Sequence, residues 1–587
     1  MRILFLTRTF NGLAQRLHVE LAALGHEVSV ELDIADAVTI EAVAMFRPDL
    51  VIAPFLKRAI PEAVWRDTPC LIVHPGIVGD RGPSALDWAI LDGEREWGVT
   101  VLRAVAELDA GPVWATETFA MRDATKSSLY RREVTEAAVR AVKRAVQRYA
   151  EDGAATAAID TRGARGRWRP LMQDADRRID WDRDDTRRVL RKIRCADGAP
   201  GVLDRLFDVP CRLFDAHAAP SPEGAVPGTL VARGDGAVLR ATVDGAVWIG
   251  HVRREDVPGA LKLPTTLAFA REVEALPDRS IDAGHAIDAI DAKPAIDAAG
   301  AASGEIRYEA AAGVGYLHFD FHNGAMSTAQ CERLAAALRA ALRRPERVLV
   351  LLGGADFWSN GLHLHVIEAA ESPADESWRN IGAIDDVTLA LIEATDRLVV
   401  AALGGNAGAG GVFMALAADQ VWARHGVILN PHYKNMGNLH GSEYWTYLLP
   451  RRLRAASVDA VMGHRLPMGA RQAAELGLVD AVFGDTGDDF LAGVRARAAA
   501  LAARPDLPDV LRAKAAQRRR DEAEKPLRSY RDAELAAMRR NFYGFDPSYH
   551  IARSNFVHRV APSRTPLHLA IHRRAGPDGR PASEPKP

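Results

Sequence analysis

The chain has 587 residues, of which 48% are hydrophobic and 26% charged, and its formal net charge is −2 at pH 7. This length predicts several domains, and the near-zero charge excludes the broad basic field that nucleic-acid binding requires. The apolar run at the N-terminus is too short for a signal peptide, and no apolar run reaches the ~18 residues of a membrane span. We therefore expect a cytoplasmic protein with neither nucleic-acid nor membrane partners.

The opening of the chain alternates between strand and helix patterns. The apolar runs RILFLT, EVSVEL, LVIAPF and CLIVH read as strands, and GLAQRLHVELAALGH and TIEAVAMFRPD read as helices between them. This β-α-β-α-β order predicts a doubly wound parallel sheet. Ligands of open α/β sheets bind beyond the carboxyl ends of strands. His74 ends the fourth strand, so it is a candidate catalytic residue, although a histidine in this place can also be purely structural.

The sequence pattern changes after about Trp168. The short runs CRLFDA, GTLVARG, AVLRATV and AVWIGHV, separated by turn residues, predict a small OB-like β-barrel. An Ala/Asp/Ile-rich stretch that follows is too low in complexity to form a core, so we interpret it as a linker. A second α/β pattern then begins at VGYLHFDF, and an Ala/Arg-rich helical region and a polar tail end the chain. The predicted fold class is α/β and multidomain.

The four cysteines are Cys70, Cys195, Cys211 and Cys331. They form no CxxC pair and no regular spacing, so neither a disulfide framework nor a zinc site is expected. We predict no metal ion from this pattern.

The segments HPGIVGDRGPSALDWAILDGEREWGVTV and AELDAGPVWATETF resemble the 10-formyltetrahydrofolate-dependent formyltransferases. A further segment, RIDWDRDDTRRVLRKIRC, resembles the start of the accessory domain of methionyl-tRNA formyltransferase. The resemblance implies N10-formyltetrahydrofolate as the one-carbon donor and catalytic roles for His74 and Asp109. A histidine oriented by a carboxylate can move a proton near neutral pH. Asp109 precedes Gly-Pro, so it can also be a turn former.

One position departs from that family. An asparagine that stabilises the oxyanion is expected two residues before the histidine, and Ile72 stands there. Loss of one oxyanion donor can cost ~10²–10³ in rate. Either the site is inactive, or the acceptor is not an amine; a thiolate is a stronger nucleophile and tolerates a weaker site.

Several residues around the same segment are candidates for holding the substrate or cofactor. Arg8 and Gln15 flank the first strand–helix turn, where a helix N-terminus favours anions, and a solvent-facing role is an equal alternative. We also assign Ile72, Arg81 and Ser84 to this pocket from their place in the resembling segment.

The segments FWSNGLHL, GGNAGAGGVFMALAADQVW and MGHRLPMGARQAAELGLVDAVF resemble the enoyl-CoA hydratase/isomerase, or crotonase, superfamily. The resemblance implies a coenzyme A thioester as ligand. It also implies that the backbone amides of Asn360 and Gly410 bind the thioester oxygen in an oxyanion hole.

The glutamates that hydratases use are missing, because Phe413 and Pro431-His432 occupy their positions. Addition of water to an enoyl thioester is therefore not expected. The segment NPHYKNMGNLHGSEYW supplies Tyr433 and Glu443 instead, and a carboxyl group in an apolar pocket can act as an acid or base. Tyr433 can alternatively be a core residue, and Glu443 can be an acid at the N-terminus of the next helix.

Both modules together resemble a family of [NiFe]-hydrogenase maturation factors, including the segments LNPHYKNMGNLHGSEYWTYLLP and NFYGFDPSYHIARSNFVH. The resemblance implies that coenzyme A receives the formyl group and that formyl-CoA is decarbonylated, releasing CO for the hydrogenase iron. Hydrogenase precursors or the proteins that assemble the iron ligands are then possible partners. Two alternatives are a formyltransferase for an amine or sugar nucleotide with an inert second module, and a non-catalytic CoA-binding maturation scaffold.

The expected organisation follows from these segments. It comprises a formyltransferase domain (1–160), a β-barrel domain (165–275), a linker (276–304), a crotonase domain (305–490), a helical C-terminal extension (491–573) and a disordered tail (574–587).

Overall fold

The structure is a computed structural model, and it describes residues 1–153, 156–220, 222–279, 304–431, 433–453 and 455–574. The predicted linker and tail lie outside these ranges except for residues 276–279, 304 and 574, and so does His432. The chain divides into two compact units. The first comprises Met1–Asp180, Arg187–Asp204 and the chain from Ala561; the second comprises Trp181–Thr186 and Arg205–Val560.

The first unit is built around a six-stranded sheet with the order β2-β1-β3-β4-β5-β6. The first four strands run parallel, as predicted, whereas β5 and β6 are antiparallel to their neighbours. The strands are β1 (Arg2–Thr7), β2 (Glu27–Leu32), β3 (Leu50–Phe55), β4 (Cys70–His74), β5 (Glu96–Arg103) and β6 (Val113–Ala120). The helices are α1 (Gly12–Ala23), α2 (Asp36–Phe46), α3 (Glu62–Trp65), α4 (Ala85–Asp92), α5 (Lys126–Leu129), α6 (Thr135–Asp152) and α7 (Thr186–Ala196), whose first residue belongs to the second unit.

The segment around Thr565 and Leu569 covers part of the outer edge of this sheet. The Val30 N–H donates to the Leu569 carbonyl at 3.0 Å, and the Leu32 N–H donates to the Thr565 hydroxyl at 2.8 Å. An open strand edge presents unpaired backbone groups, so this segment satisfies part of β2. The sequence predicts a helical extension up to residue 573. In the described part of this region, an α-helix ends at Val557, and residues 558–574 contain one short 3₁₀ turn, at Ile571–Arg573.

The second unit begins with an antiparallel barrel-like sheet, in which β8, β11, β10 and β9 pair in that order. The strand β11 is buried from Ala246 to Val252, and only its last two residues are partly exposed. The elements are β7 (Val202–Leu206), whose start lies in the first unit, β8 (Val209–Ala219), β9 (Leu230–Gly234), β10 (Ala237–Ala241), β11 (Ala246–Arg254), β12 (Leu263–Pro264) and the short α8 (Thr265–Ala268).

Two further sheets form the core of the rest of this unit. One has the order β13-β14-β15-β17-β19-β22 and the other β16-β18-β20-β21. The strand β17 is buried along its whole length, which is typical of a parallel strand covered on both faces. The strands are β13 (Ile306–Ala311), β14 (Val314–Phe319), β15 (Val348–Gly353), β16 (Phe357–Ser359), β17 (Leu398–Leu403), β18 (Asn406–Gly408), β19 (Gln420–Ala423), β20 (Ile428–Asn430), β21 (Met468–Gly469) and β22 (Ala481–Val482).

Helices surround these sheets. They are α9 (Thr328–Ala341), α10 (Leu364–Ala369), α11 (Pro373–Glu393), α12 (Gly410–Leu416), α13 (Trp445–Arg452), α14 (Ala455–Gly463), α15 (Ala470–Glu475), α16 (Gly487–Ala502), α17 (Leu507–Glu524), α18 (Leu527–Tyr543) and α19 (Ser548–Val557). Within the described ranges, none of the helices combines the length and the hydropathy needed to cross a membrane.

Candidate active sites

His74 lies at the carboxyl end of β4, as expected, and its side chain is almost completely buried. The Nε2 atom is 3.0 Å from Oδ1 of Asp80, and Nδ1 is 3.7 Å from Oδ2 of Asp109. A Cβ atom on Gly76 would lie 2.4 Å from Nε2 of His74. Glycine is therefore required for the turn after the strand to fold back over the imidazole.

Asp80 is held by a second partner. Arg169 donates from Nε to the other oxygen of Asp80 at 3.0 Å and from a terminal nitrogen to Asp92 at 2.9 Å. A carboxylate that bonds a guanidinium through one oxygen keeps the other oxygen as an acceptor. Asp80 consequently accepts a hydrogen bond from the Nε2–H of His74. With Nε2 directed at Asp80, Nδ1 is the ring nitrogen on the side of Asp109.

Sequence reasoning missed Asp80 and Arg169. Asp80 follows His74 by six residues and could have been considered for its position in the loop after the strand. Arg169 is distant in sequence, and no pattern connects it to the histidine. The predicted partner, Asp109, adopts a left-handed backbone conformation (φ 54°) and accepts from the Gly82 N–H at 3.3 Å. It lies close to His74, but beyond hydrogen-bonding distance.

Ile72 occupies the strand position two residues before His74, between Ala53 of β3 and Leu102 of β5. Its half-buried side chain packs against an apolar cluster that includes Leu4 and Leu6. A hydrocarbon at this position cannot donate a hydrogen bond to an oxyanion.

The other predicted binding residues have different surroundings. Arg8 is exposed, and Gln15 donates from its side chain to the Phe10 carbonyl at 3.1 Å. Arg81 pairs with Glu107 at 2.7 Å on the surface. The buried hydroxyl of Ser84 accepts from the Met172 N–H at 3.1 Å. None of these contacts tests whether the four residues bind substrate or cofactor, so that assignment stays a prediction.

In the second unit, the two glycine-rich turns converge as expected. A Cβ atom on Gly361 would lie 3.3 Å from the backbone nitrogen of Gly410. Gly410 is the first residue of α12, where backbone N–H groups have no acceptor within the helix. The Asn360 N–H, in contrast, donates to the Gly324 carbonyl at 2.7 Å. This amide hydrogen is already used in the structure, and the oxyanion-hole role of Asn360 stays a prediction.

Tyr433 and Glu443 form a buried pair beside Gly410. The Tyr433 hydroxyl donates to Oε2 of Glu443 at 2.6 Å, and a Cβ atom on Gly410 would lie 2.0 Å from Oε1. The Tyr433 ring stacks on Phe413, with the ring centroids 5.2 Å apart. The residue that replaces a hydratase glutamate thus supports the tyrosine. The carboxyl of Glu443 points to Tyr433, and both residues are more than nine-tenths buried.

Two carboxylates hold the backbone of the Glu443 turn. Asp385 accepts from the Glu443 N–H at 2.8 Å, and Glu534 accepts from the Tyr444 N–H at 2.9 Å. Glu443 and Tyr444 both have a φ of 58°. Such left-handed residues other than glycine cost of order 1–3 kcal/mol each unless their surroundings fix them. Asp385 and Glu534, which sequence reasoning missed, provide that constraint from α11 and α18.

The charge state of this cluster follows from its burial. Burial and the neighbouring Asp385 charge raise the pKa of Glu443 to about 8. Burial raises the pKa of Asp385 to about 6, that of Glu534 to about 7, and that of Tyr433 well above its usual value. Because Oε2 of Glu443 accepts from both Tyr433 and the Ser442 N–H, the proton of the neutral acid belongs on Oε1, the oxygen beside Gly410.

A cavity of about 290 Å³ lies next to this pair and is lined by Tyr433, Lys434, His440, Trp445 and Arg540 among others. The volume accommodates a small molecule, and Tyr433, which lines the cavity, is hydrogen-bonded to Glu443. Glu443 is thus an acid whose pKa lies near the physiological range, and it lies beside the turn that presents the backbone amide of Gly410. Such a group can donate and accept a proton during one reaction.

Known families cover most of the chain. The family model described as formyl transferase matches residues 27–146, and that for the formyl transferase C-terminal domain matches residues 171–258. The enoyl-CoA hydratase/isomerase model matches residues 309–545. The protein therefore combines a formyl transferase with a crotonase-type module.

Full-length relatives identify the family. The hydrogenase maturation factor HoxX of Bradyrhizobium diazoefficiens is 56% identical over 582 residues, which are 99% of each chain. The crystal structure of HypX from Aquifex aeolicus in complex with tetrahydrofolic acid superposes with a TM-score of 0.92 and 46% identity, over 98% of this chain and 99% of that one. Methionyl-tRNA formyltransferase of Variovorax paradoxus is 29% identical over 229 residues, 38% of this chain and 69% of that protein. The chain belongs to the HypX/HoxX family of hydrogenase maturation factors.

Proposed function

We propose that this protein transfers a formyl group from N10-formyltetrahydrofolate to the thiol of coenzyme A, and then cleaves formyl-CoA to coenzyme A and carbon monoxide. The observation that carries the proposal is the buried Tyr433–Glu443 pair against Gly410. It places an acid–base group beside a turn of the type that binds thioesters, while Phe413 and Pro431 stand where hydratases carry their glutamates. The folate complex of the Aquifex relative supports a folate donor.

In the first half-reaction, the sulfur of coenzyme A attacks the formyl carbon, a C–S bond forms and the C–N10 bond breaks. His74 accepts the thiol proton at Nδ1 and returns it to N10. Asp80 holds the ring through Nε2, and Asp109 stabilises the imidazolium formed in between. Ile72 removes an oxyanion donor, and the strong nucleophilicity of a thiolate offsets this loss.

In the second half-reaction, the formyl C–H and C–S bonds of formyl-CoA break and an S–H bond forms, so that CO and free coenzyme A result without any oxidant. The ionised fraction of Glu443 takes the formyl proton and returns it to the sulfur. A pKa of about 8 suits this double role, because both protonation states are populated close to neutral pH. The Gly410 amide and the Tyr433 hydroxyl orient the reacting groups.

The maturation role of the family indicates where the product goes. We propose that CO becomes a ligand of the hydrogenase iron, delivered to the hydrogenase precursor or to the proteins that assemble its iron ligands. The substrates of the chain itself are then small molecules only.

The direct test supplies isotopically labelled N10-formyltetrahydrofolate with and without coenzyme A. Labelled CO is measured on reduced haemoglobin, and formyl-CoA is measured by mass spectrometry. We expect CO only when coenzyme A is present, and accumulation of formyl-CoA with Glu443→Gln. A stable formylated amine as the product, or wild-type maturation of hydrogenase in cells by both Glu443→Gln and His74→Ala, would refute the proposal in favour of an ordinary formyltransferase or a scaffold.

A further inference from the structure

A cluster of imidazoles surrounds one carboxylate of the barrel, away from the residues used above. Asp215 of β8 accepts from Nδ1 of His251 in β11 at 2.8 Å, and its other oxygen is 3.4 Å from Nδ1 of His322. One donor atom from each of the three residues lies within 4.8 Å of the other two. All three residues belong to the second unit, although they come from distant parts of the sequence.

The local backbone is shaped to bring these groups together. A Cβ atom on Gly250 would lie 2.3 Å from Oδ2 of Asp215, so a glycine is needed to admit the carboxylate. Asp215 itself adopts a left-handed backbone conformation with φ 56°. The rings of His251 and His322 stack with centroids 4.3 Å apart and an interplanar angle of 29°, so that both present Nδ1 to the same carboxylate.

One polar atom in this cluster has no partner. His251 is only 4% exposed, and its Nε2 atom is buried without a hydrogen-bond partner. Buried polar atoms normally have one, because leaving them unpaired costs of order 1–3 kcal/mol. Because Nδ1 of His251 donates its proton to Asp215, the unpaired Nε2 carries the lone pair that is free to bind an ion.

We propose that Asp215, His251 and His322 bind a divalent transition-metal ion, with zinc as the ion that this donor set suits. Two imidazoles and one carboxylate are a common protein ligand set for such ions, with remaining positions left to water. The site goes beyond the proposed function, and the cysteine spacing alone predicts no metal ion.

Lys262 provides an internal competitor for the ion. Its ammonium donates to Nε2 of His322 at 2.9 Å, which places the ring proton on Nδ1, the nitrogen that would bind the metal. Metal binding moves that proton to Nε2, so the ammonium must turn away. Glutamine in place of Lys262 can accept a hydrogen bond from the Nε2–H and should strengthen metal binding.

The ion would also fix a turn of the crotonase module. His322 begins the short 3₁₀ turn that ends at Gly324, whose carbonyl accepts from the Asn360 N–H. The Asn360 side chain donates to the Asn323 carbonyl at 2.8 Å. Metal bound at His322 would therefore restrain the glycine-rich turn that contains Asn360.

The test titrates the chelator-treated full chain with Zn²⁺ by calorimetry, and with Co²⁺ by visible absorption as a report on coordination. We expect one equivalent to bind, weakening by about 10-fold or more in Asp215→Asn and His251→Ala, and tightening in Lys262→Gln. His425→Ala, at an exposed histidine outside the cluster, should leave the affinity unchanged. Circular dichroism identifies any variant that fails to fold, and Lys262→Gln keeps all three ligands. Absence of stoichiometric binding to the wild-type chain, or equal affinity in Lys262→Gln, His251→Ala and the wild type, would overturn the proposal.

Discussion

Glu443 is bonded to Tyr433 through one carboxyl oxygen and packs against Gly410 through the other. Its neighbours act on its ionisation in opposite directions. The Tyr433 hydroxyl stabilises the carboxylate and lowers the pKa of Glu443, whereas burial and the charge of Asp385 raise it, and the second influence is larger. The proposed base is therefore tuned by two residues that can be altered separately.

Tyr433→Phe should raise the pKa of Glu443 further, because the carboxylate loses a hydrogen bond and phenylalanine still stacks on Phe413. A hydrogen bond to a charged group is worth about 1.5–3 kcal/mol, or about 1–2 pKa units. If the carboxylate is the active form, CO release at pH 7 falls about 10-fold or more, and the rising limb of its pH–rate profile moves to higher pH. The measurement uses formyl-CoA supplied directly. Tyr543→Phe, at an exposed tyrosine, should keep the wild-type profile; an unshifted limb in Tyr433→Phe would contradict the assignment.

Asp385→Asn should shift the rising limb of the pH–rate profile of CO release in the opposite direction, to lower pH. Asparagine keeps an oxygen for the Glu443 N–H and an amide for the Ser442 hydroxyl, but it removes a negative charge. With that repulsion gone, the pKa of Glu443 falls, by about one unit. CO release should then reach its plateau at lower pH, and the Tyr433→Phe and Asp385→Asn profiles should lie on either side of the wild type. Shifts of both variants to the same side would show that Glu443 is not the titrating group.

Sequence patterns alone point to part of this candidate site. His74 was found because it ends an apolar strand, and Tyr433 and Glu443 because the segment containing them departs from the hydratase pattern. Asp80's partner Arg169 is separated from it by 89 residues, and Asp385 and Glu534 lie 58 and 90 residues from the backbone groups that they accept from. Such contacts arise only when distant helices and loops pack together, and neither periodicity nor local spacing carries information about them.

The same limit applies to the fold. The parallel order of the first strands follows from the alternation of strand and helix patterns, and the structure confirms it. The pairing of β2 with the segment that contains Thr565 and Leu569 does not follow, because the sequence predicts helix there and the structure has neither a strand nor an α-helix at these residues. A strand edge can be satisfied by any backbone that reaches it, and its partner cannot be identified from residue type.

Asp80→Asn should impair the first half-reaction and spare the second. The asparagine can still bond Nε2 of His74, but it no longer stabilises the imidazolium, so we expect formyl transfer to fall by about 10²-fold, within the usual contribution of acid–base catalysis. Decarbonylation of added formyl-CoA should match the wild type. Because Arg169 loses one buried partner, stability is checked by thermal denaturation. Asp109→Asn is the comparison. Because it leaves His74 and Asp80 intact, it should reduce the rate of formyl transfer less than Asp80→Asn does. A larger loss in Asp109→Asn than in Asp80→Asn would assign the orienting role to Asp109 instead.

Gly410→Ala should abolish CO release and leave formyl-CoA formation intact. The added methyl group would lie 2.0 Å from Oε1 of Glu443, far inside contact distance, so the carboxyl must leave its position beside the amide. Gly382→Ala is the matched control, because the atom nearest to a Cβ atom there is an Arg531 nitrogen at 3.9 Å, and alanine is the better helix former. Formyl-CoA should therefore accumulate in Gly410→Ala and be turned over normally in Gly382→Ala. Equal CO yields from the two variants would show that the proximity of Glu443 to Gly410 has no part in the reaction.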